Sequence, residues 1–172
     1  MKYIIGLSTL FLIILGFPSM VRSQSTNKFG IYGYLERAML VEATLEMAAK
    51  LDTGADNSSL NATELEFFER EGKSWVRFQV EGDDGRDAIF EREVVRTVVI
   101  KNRTGANARR PVVLLRICVG SHSETVEANL ADRSELSYPL LLGRSFLEQG
   151  FLVNSAAKFT TPLNCQTGDQ SL

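Results

Sequence analysis

The residues of this chain best suited to chemistry are Asp52, Thr53 and Gly54, within the stretch Ala49-Lys50-Leu51-Asp52-Thr53-Gly54-Ala55-Asp56. An acid, a hydroxyl and a glycine follow directly on an apolar run. A tight glycine-containing turn exposes backbone N–H groups, and N–H donors aimed at a carboxylate favour its ionised form. A carboxylate held in this way is a candidate for general acid–base work on water. Asp56 is a second acid in the same turn, but beside Asn57 and Ser58 it reads as a turn-stabilising residue.

Other chemistry-bearing residues are sparse. The chain has one histidine, His122, flanked by Ser121 and Ser123, where a solvated imidazole in a turn is expected. Its two cysteines, Cys118 and Cys165, either pair in an oxidising compartment or, for Cys118, simply fill an apolar strand. A zinc site needs several donors at defined spacing, and the sequence has neither His-Glu-x-x-His nor a tight ligand pair. The phosphate-cradling Gly-x-x-x-x-Gly-Lys-Ser/Thr loop is absent as well. The expectation is no metal and no cofactor.

The turn must be positioned by strands. Leu45, Met47 and Ala49 alternate with Glu46, Ala48 and Lys50, which predicts a strand ending at Leu51 although Ala, Leu, Met and Glu favour helix. Residues 58–62 read as a short connection, and Thr63 with Glu66 at capping-box spacing suggests a helical turn over 63–70. Ser74 to Val80 alternates well and Ile89 to Ile100 is rich in β-branched residues, with an acidic turn over 81–87 between them. A basic turn over 101–110 leads to a strand at 111–119 and its return at 124–130. Tyr138 to Leu147 reads as a buried strand running through Gly143 towards a short helix, and Phe151 to Val153 closes the fold. Many short strands with one or two short helices predict an all-β, barrel-like domain.

Length allows one domain. A 44% hydrophobic and 23% charged composition is that of a globular chain. Residues 1–23, with Lys2 before an apolar run and Val21-Arg22-Ser23 after it, have the outline of a secretory signal peptide. A linker is expected over 24–28, the domain over 29–159 and a flexible tail over 160–172. Removing the signal takes away Lys2 and Arg22 and leaves 17 basic against 21 acidic side chains, a balance that argues against nucleic acid as a partner. Contact with a membrane is expected only if the N-terminal segment is retained, and the location is otherwise secreted or periplasmic.

Asp52-Thr53-Gly54-Ala55, together with Leu141-Leu142-Gly143-Arg144, resembles the retropepsin-like aspartic proteases, whose active-site turn is underlain by an apolar-apolar-Gly-Arg strand. More narrowly, Ala49 to Ala55, Trp75-Val76-Arg77-Phe78, Arg109-Arg110-Pro111 and Leu130 to Ser134 leading into Tyr138 to Arg144 resemble a bacterial family labelled ATP-dependent zinc proteases, which accompany glutamate ligases. Two positions depart from that pattern. Asn154 stands where an acid is usual, and Asn61 where histidine is common.

The resemblance implies a closed acid-protease barrel and an aspartic endopeptidase. Because one chain carries one such turn, it also implies a homodimer whose two Asp52 carboxylates share a proton. In the roles it implies, Gly54 donates to the carboxylate, Thr53 braces the paired turns, Ala55 keeps the floor small and Gly143 leaves space beneath. Counting strands back from Gly143 assigns the substrate-covering flap to residues 102–109, which include Gly105. Arg103, Arg109 and Arg110 would then favour an acidic peptide or protein substrate. Arg133 and Arg144 are expected to be structural, pairing with Asp132 and Glu135. The competing readings are a peptide-binding or regulatory protein on the same scaffold, without turnover, and the zinc hydrolase of the family label.

Overall fold

The computed structural model describes residues 29–100 and 107–165. Its first unit is an antiparallel pair, β1 (Gly30–Leu40) and β2 (Leu45–Leu51), joined through a short 3-10 turn at Val41–Ala43. In β2, Leu45, Met47, Ala49 and Leu51 are buried and the residues between them more exposed. Helix-favouring composition loses here to the two-residue alternation, because strands on both sides supply backbone partners.

From β2 the pairing runs to β10 (Leu140–Leu142, parallel), then β3 (Ser58–Asn61, antiparallel) and β9 (His122–Ala131, parallel). It continues to β8 (Ala108–Val119, antiparallel), and β8 returns to β1 through Ala38–Leu40 against Ile117–Val119. The main sheet therefore closes on itself. β11 (Phe151–Lys158) lies parallel outside β1, and β7 (Arg96–Ile100) flanks β8. Leu45, Met47, Leu60, Leu115, Leu140 and Phe146 fill the interior. A second sheet of β4 (Thr63–Arg70), β5 (Lys73–Glu81) and β6 (Asp87–Glu93) contributes Val76, Val80 and the stacked pair Phe78–Phe90 to the same core.

Several sequence expectations are corrected. Residues 63–70 form a strand, not a helical turn. Glu71 and Gly72 both have positive φ (53° and 74°) and make a two-residue hairpin loop, so β5 captures the segment before a helix can form. Residues 58–62 are no mere connection, since β3 is central, between β10 and β9. The single strand expected over 89–100 is two strands in different sheets. Val94 N–H bonds Ser74 of the second sheet, and Val95 N–H bonds Val112 of the main one.

Residues 160–165, expected to be loose, are tied down. The buried Glu36 carboxylate accepts from the backbone N–H groups of Gly33, Thr160 and Thr161 and from the Thr160 hydroxyl. Cys118 and Cys165 form a disulfide. His122 begins β9 rather than sitting in the turn. Its ring lies edge-on to Phe151 at 5.2 Å and Phe146 at 6.2 Å, with Glu124 at 3.4 Å. The N-terminal segment and the end of the tail lie outside the described residues.

Candidate active site

Asp52 is the first residue past β2, and its position is set by β10. Leu51 pairs with Leu142, and the Asp52 N–H donates to the Leu142 carbonyl at 2.9 Å. The chain then turns sharply. Ala55 N–H returns to the Asp52 carbonyl at 3.3 Å, and Gly54 N–H donates to Asp52 Oδ1 at 3.0 Å. A methyl group on Gly54 would lie 3.2 Å from that same oxygen, so glycine gives the carboxylate room.

The far side of the turn is fastened to α1 (Arg144–Leu147). Arg144 N–H donates to the Ala55 carbonyl and Ser145 N–H to that of Asp56. The Arg144 guanidinium donates to the Thr53 carbonyl at 3.1 Å and pairs with Asp56. Arg144 thus clamps the acidic turn and does not pair with Glu135 or Asp132, as had been expected. Gly143 lies against the backbone of Asn57, where an added Cβ would come within 2.6 Å of a carbonyl oxygen. No side chain fits there without moving backbone.

Thr53 and Gly54 are exposed, and the Asp52 side chain keeps 25% of its surface open. Lys50, which the sequence reading passed over, places its ammonium 3.2 Å from Asp52 Oδ2. Residues two apart on a strand share a face, and that spacing was the available signal. Partial burial pushes the Asp52 carboxyl upward, but the Gly54 N–H, the Lys50 ammonium and the Ala55 N–H together hold it below the ordinary aspartate value.

Across the sheet from Lys50 runs a row of registered partners: Leu141, Ser59 and Asn129. Ser59 donates to Asn129 Oδ1 at 3.1 Å, Arg110 donates to the same oxygen at 3.3 Å, and Arg133 donates to Ser59 Oγ at 3.3 Å. Arg133 also bonds the Tyr138 carbonyl, so the expected pairing with Asp132 or Glu135 is replaced by neutral acceptors. Asn61 accepts from the Arg133 N–H at 2.7 Å. Arg109 is exposed at the start of β8, and Ala55 is half-buried in the turn.

β7 and β8 form the hairpin to which the flap was assigned, pairing from Arg96↔Val112 to Ile100↔Ala108. Arg103 and Gly105 lie outside the described residues. The acidic turn over 81–87 packs elsewhere: Asp83 N–H bonds the Glu46 carbonyl near the start of β2, about 20 Å along the chain from Asp52. Among the described residues, the zinc implied by the family label finds no donor set. Cys118 and Cys165 are bonded to one another, and among the described residues no three His, Cys, Asp or Glu side chains are grouped as ligands.

A family model described as retropepsin-like aspartic endopeptidase RimB matches residues 31–163. The chain belongs to this RimB-like family. The match takes in the Asp52 turn, Gly143 and all of β11, and it ends past Thr160 and Thr161, which bond Glu36. Among relatives, the chain is 33% identical over 138 residues to a probable alpha-L-glutamate ligase of Shewanella halifaxensis (strain HAW-EB4), covering 78% of this chain and 30% of the ligase. A probable alpha-L-glutamate ligase of Desulfotalea psychrophila (strain LSv54 / DSM 12343) is 29% identical over 126 residues, covering 72% and 26%. The RimB-like chain thus spans 30% or less of these relatives' length. A crystal structure of a protein of unknown function from Legionella pneumophila subsp. pneumophila str. Philadelphia 1 is 41% identical with a TM-score of 0.67, covering 77% of this chain and 98% of that one.

Proposed function

We propose that this RimB-like protein is an aspartic endopeptidase that acts as a homodimer, with Asp52 of each subunit meeting at a two-fold axis. The observation that carries this reading is the exposed turn in which Gly54 N–H holds the Asp52 carboxylate. One carboxylate is half of a hydrolytic dyad. In the pair, one Asp52 takes a proton from a bridging water while the other, protonated, donates to the scissile carbonyl oxygen. The tetrahedral intermediate then collapses as a proton passes to the leaving nitrogen. Bringing two like charges together raises the proton affinity of the pair, opposing the Gly54 and Lys50 contacts that favour ionisation.

The substrate we assign is an acidic, glutamate-rich peptide. Lys50, beside Asp52, and Arg110 and Arg133, along the row of partners that Lys50 begins, support this, as does the family's kinship with proteins named glutamate ligases. The Cys118–Cys165 disulfide supports a secreted or periplasmic location, in line with the signal-like residues 1–23.

The test is hydrolysis of a glutamate-rich peptide, followed by mass spectrometry, with wild type and Asp52→Asn, each checked for assembly by sedimentation. The reading requires that Asp52→Asn remain a folded dimer and lose cleavage. Cleavage retained by the variant would overturn the role of Asp52, and a wild-type protein that binds the peptide but never cuts it would return the chain to the class of binding modules.

A further inference from the structure

Past β11 the chain continues along β1 as a strap, residues 159–165, in which no residue is buried. Phe159, with φ of 49°, breaks the strand, and its N–H donates to the Leu35 carbonyl at 2.7 Å. Thr160 and Thr161 give their N–H groups to the fully buried Glu36 carboxylate, and Gly33 N–H reaches both Glu36 Oε1 at 2.7 Å and the Thr160 hydroxyl at 3.1 Å. At the far end Asn164 N–H donates to the Gly120 carbonyl at 2.7 Å, and Cys165 is bonded to Cys118. Gly120 has a φ of 62°, and a methyl group there would lie 2.7 Å from Thr161 Cγ2, so glycine lets the strap close.

A segment with so little burial is held by its hydrogen bonds and its covalent ends. Oxidised, the strap is tethered through both Lys158 and Cys165. Reduced, it keeps one tether and frays from the other end. Its contacts lie next to the Asp52 turn: Leu35 pairs with Lys50 and Glu36 with Ala49, and the Lys50 ammonium is 3.2 Å from Asp52. Of the donors to Glu36 among the described residues, a frayed strap leaves only Gly33 N–H. A fully buried carboxylate short of donors is unfavourable, so this part of β1 must shift to admit water.

We propose that the Cys118–Cys165 bond is a redox switch: its oxidation locks the strap and completes the Asp52 site, and its reduction by a dithiol frees the strap and lowers activity while both sheets stay folded. The inference rests on the endopeptidase reading for the activity it controls. Cys118 is fully buried and Cys165 is not, so a thiolate of the dithiol attacks Cys165 Sγ. Cys118 leaves as a thiolate, and the second thiol of the reductant resolves the mixed disulfide. The products are two cysteine thiols and a cyclic disulfide, the two protons having passed from the dithiol to the protein. A disulfide donor reverses the step. Such a bond keeps the site incomplete where thiols are kept reduced and completes it in an oxidising compartment.

The test compares the full chain oxidised, reduced with dithiothreitol and reoxidised, alongside the double variant Cys118→Ser, Cys165→Ser. Hydrogen exchange at Gly33, Thr160 and Thr161 reads the strap, and cleavage of a glutamate-rich peptide reads the site. Circular dichroism and sedimentation check fold and assembly. On reduction, protection at the three amides and the cleavage rate are each expected to fall by about tenfold or more, with the central strands still protected, and both should return on reoxidation. The double variant should match the reduced protein and ignore the reductant. A bond that only adds stability would leave the folded, reduced protein at full rate, and that result overturns the switch. Unchanged protection at the three amides, or unfolding of the whole chain on reduction, overturns it as well. If the oxidised protein never cuts the peptide, the endopeptidase reading fails, and exchange still decides whether the bond governs the strap.

Discussion

Lys50, near the end of β2, and Asp52, the first residue past it, form an ion pair of 3.2 Å, so the candidate catalytic carboxylate carries its own cation two residues before it. The pair sits at the surface and contributes little to stability. Its consequence is for protonation. An ammonium beside the carboxylate favours the charged form, and this contact helps hold Asp52 below the ordinary aspartate value.

Lys50→Met should therefore raise the proton affinity of Asp52 and move the acidic limb of the pH–rate profile to higher pH. The same sign governs stability: a depressed carboxyl stabilises the fold above the unfolded aspartate pKa, and that contribution is lost as pH falls through the folded value. The profile of kcat/KM for wild type and variant checks the point. An acidic limb that stays in place, or moves to lower pH, contradicts the role given to Lys50.

Gly143→Ala places a Cβ 2.6 Å from the Asn57 carbonyl oxygen, a backbone atom that cannot swing aside. A loss of about 1–3 kcal/mol is expected in urea unfolding. Activity should fall with it, because the displaced Asn57 lies in the chain leaving the Asp52 turn. A variant as stable as wild type would show that β10 and the turn are less tightly packed than described.

Glu36→Ala removes the common acceptor of Gly33, Thr160 and Thr161 in a fully buried site. Several donors lose their partner at once, and about 3 kcal/mol or more should be lost. Hydrogen exchange is expected to rise first at Thr160 and Thr161. Unchanged protection there would mean that the segment is held by other contacts.

The Cys118–Cys165 disulfide closes a loop with a sequence separation of 47. The double replacement Cys118→Ser, Cys165→Ser is expected to cost about 2–4 kcal/mol. Wild type should show the same loss on adding reductant, and the double variant should be indifferent to it. Equal stability in the presence and absence of reductant for both proteins would contradict the bond's contribution.

The strands nearest the site were legible because their signals are local: alternation in Leu45 to Leu51, and the apolar run of Leu140 to Leu142 ending in glycine. What sequence reading missed depends on partners distant in the chain. The capping-box spacing of Thr63 and Glu66 suggested helix, but the Glu71-Gly72 hairpin loop and β5 decide the segment. Ser58 to Asn61 is too short and polar to announce a central strand, and only β9 and β10 on either side make it one. Glu36 reads as an ordinary surface acid until the chain returns with Thr160. Arg133 and Arg144 were expected to pair with acids close in sequence. Their real partners, Ser59 and Asp56, come from the stretch following Asp52, and no spacing rule brings those together.

The central claim is that two Asp52 carboxylates make one site. Wild-type and Asp52→Asn subunits can be mixed in equal amounts under conditions of free exchange and assayed for peptide cleavage at fixed total protein. If both carboxylates are required, only dimers with two intact subunits are active, and about one quarter of the wild-type rate remains. Over a range of mixtures the rate should follow the square of the wild-type fraction. A rate of about one half, falling linearly with that fraction, would mean that each subunit works alone and would contradict the account.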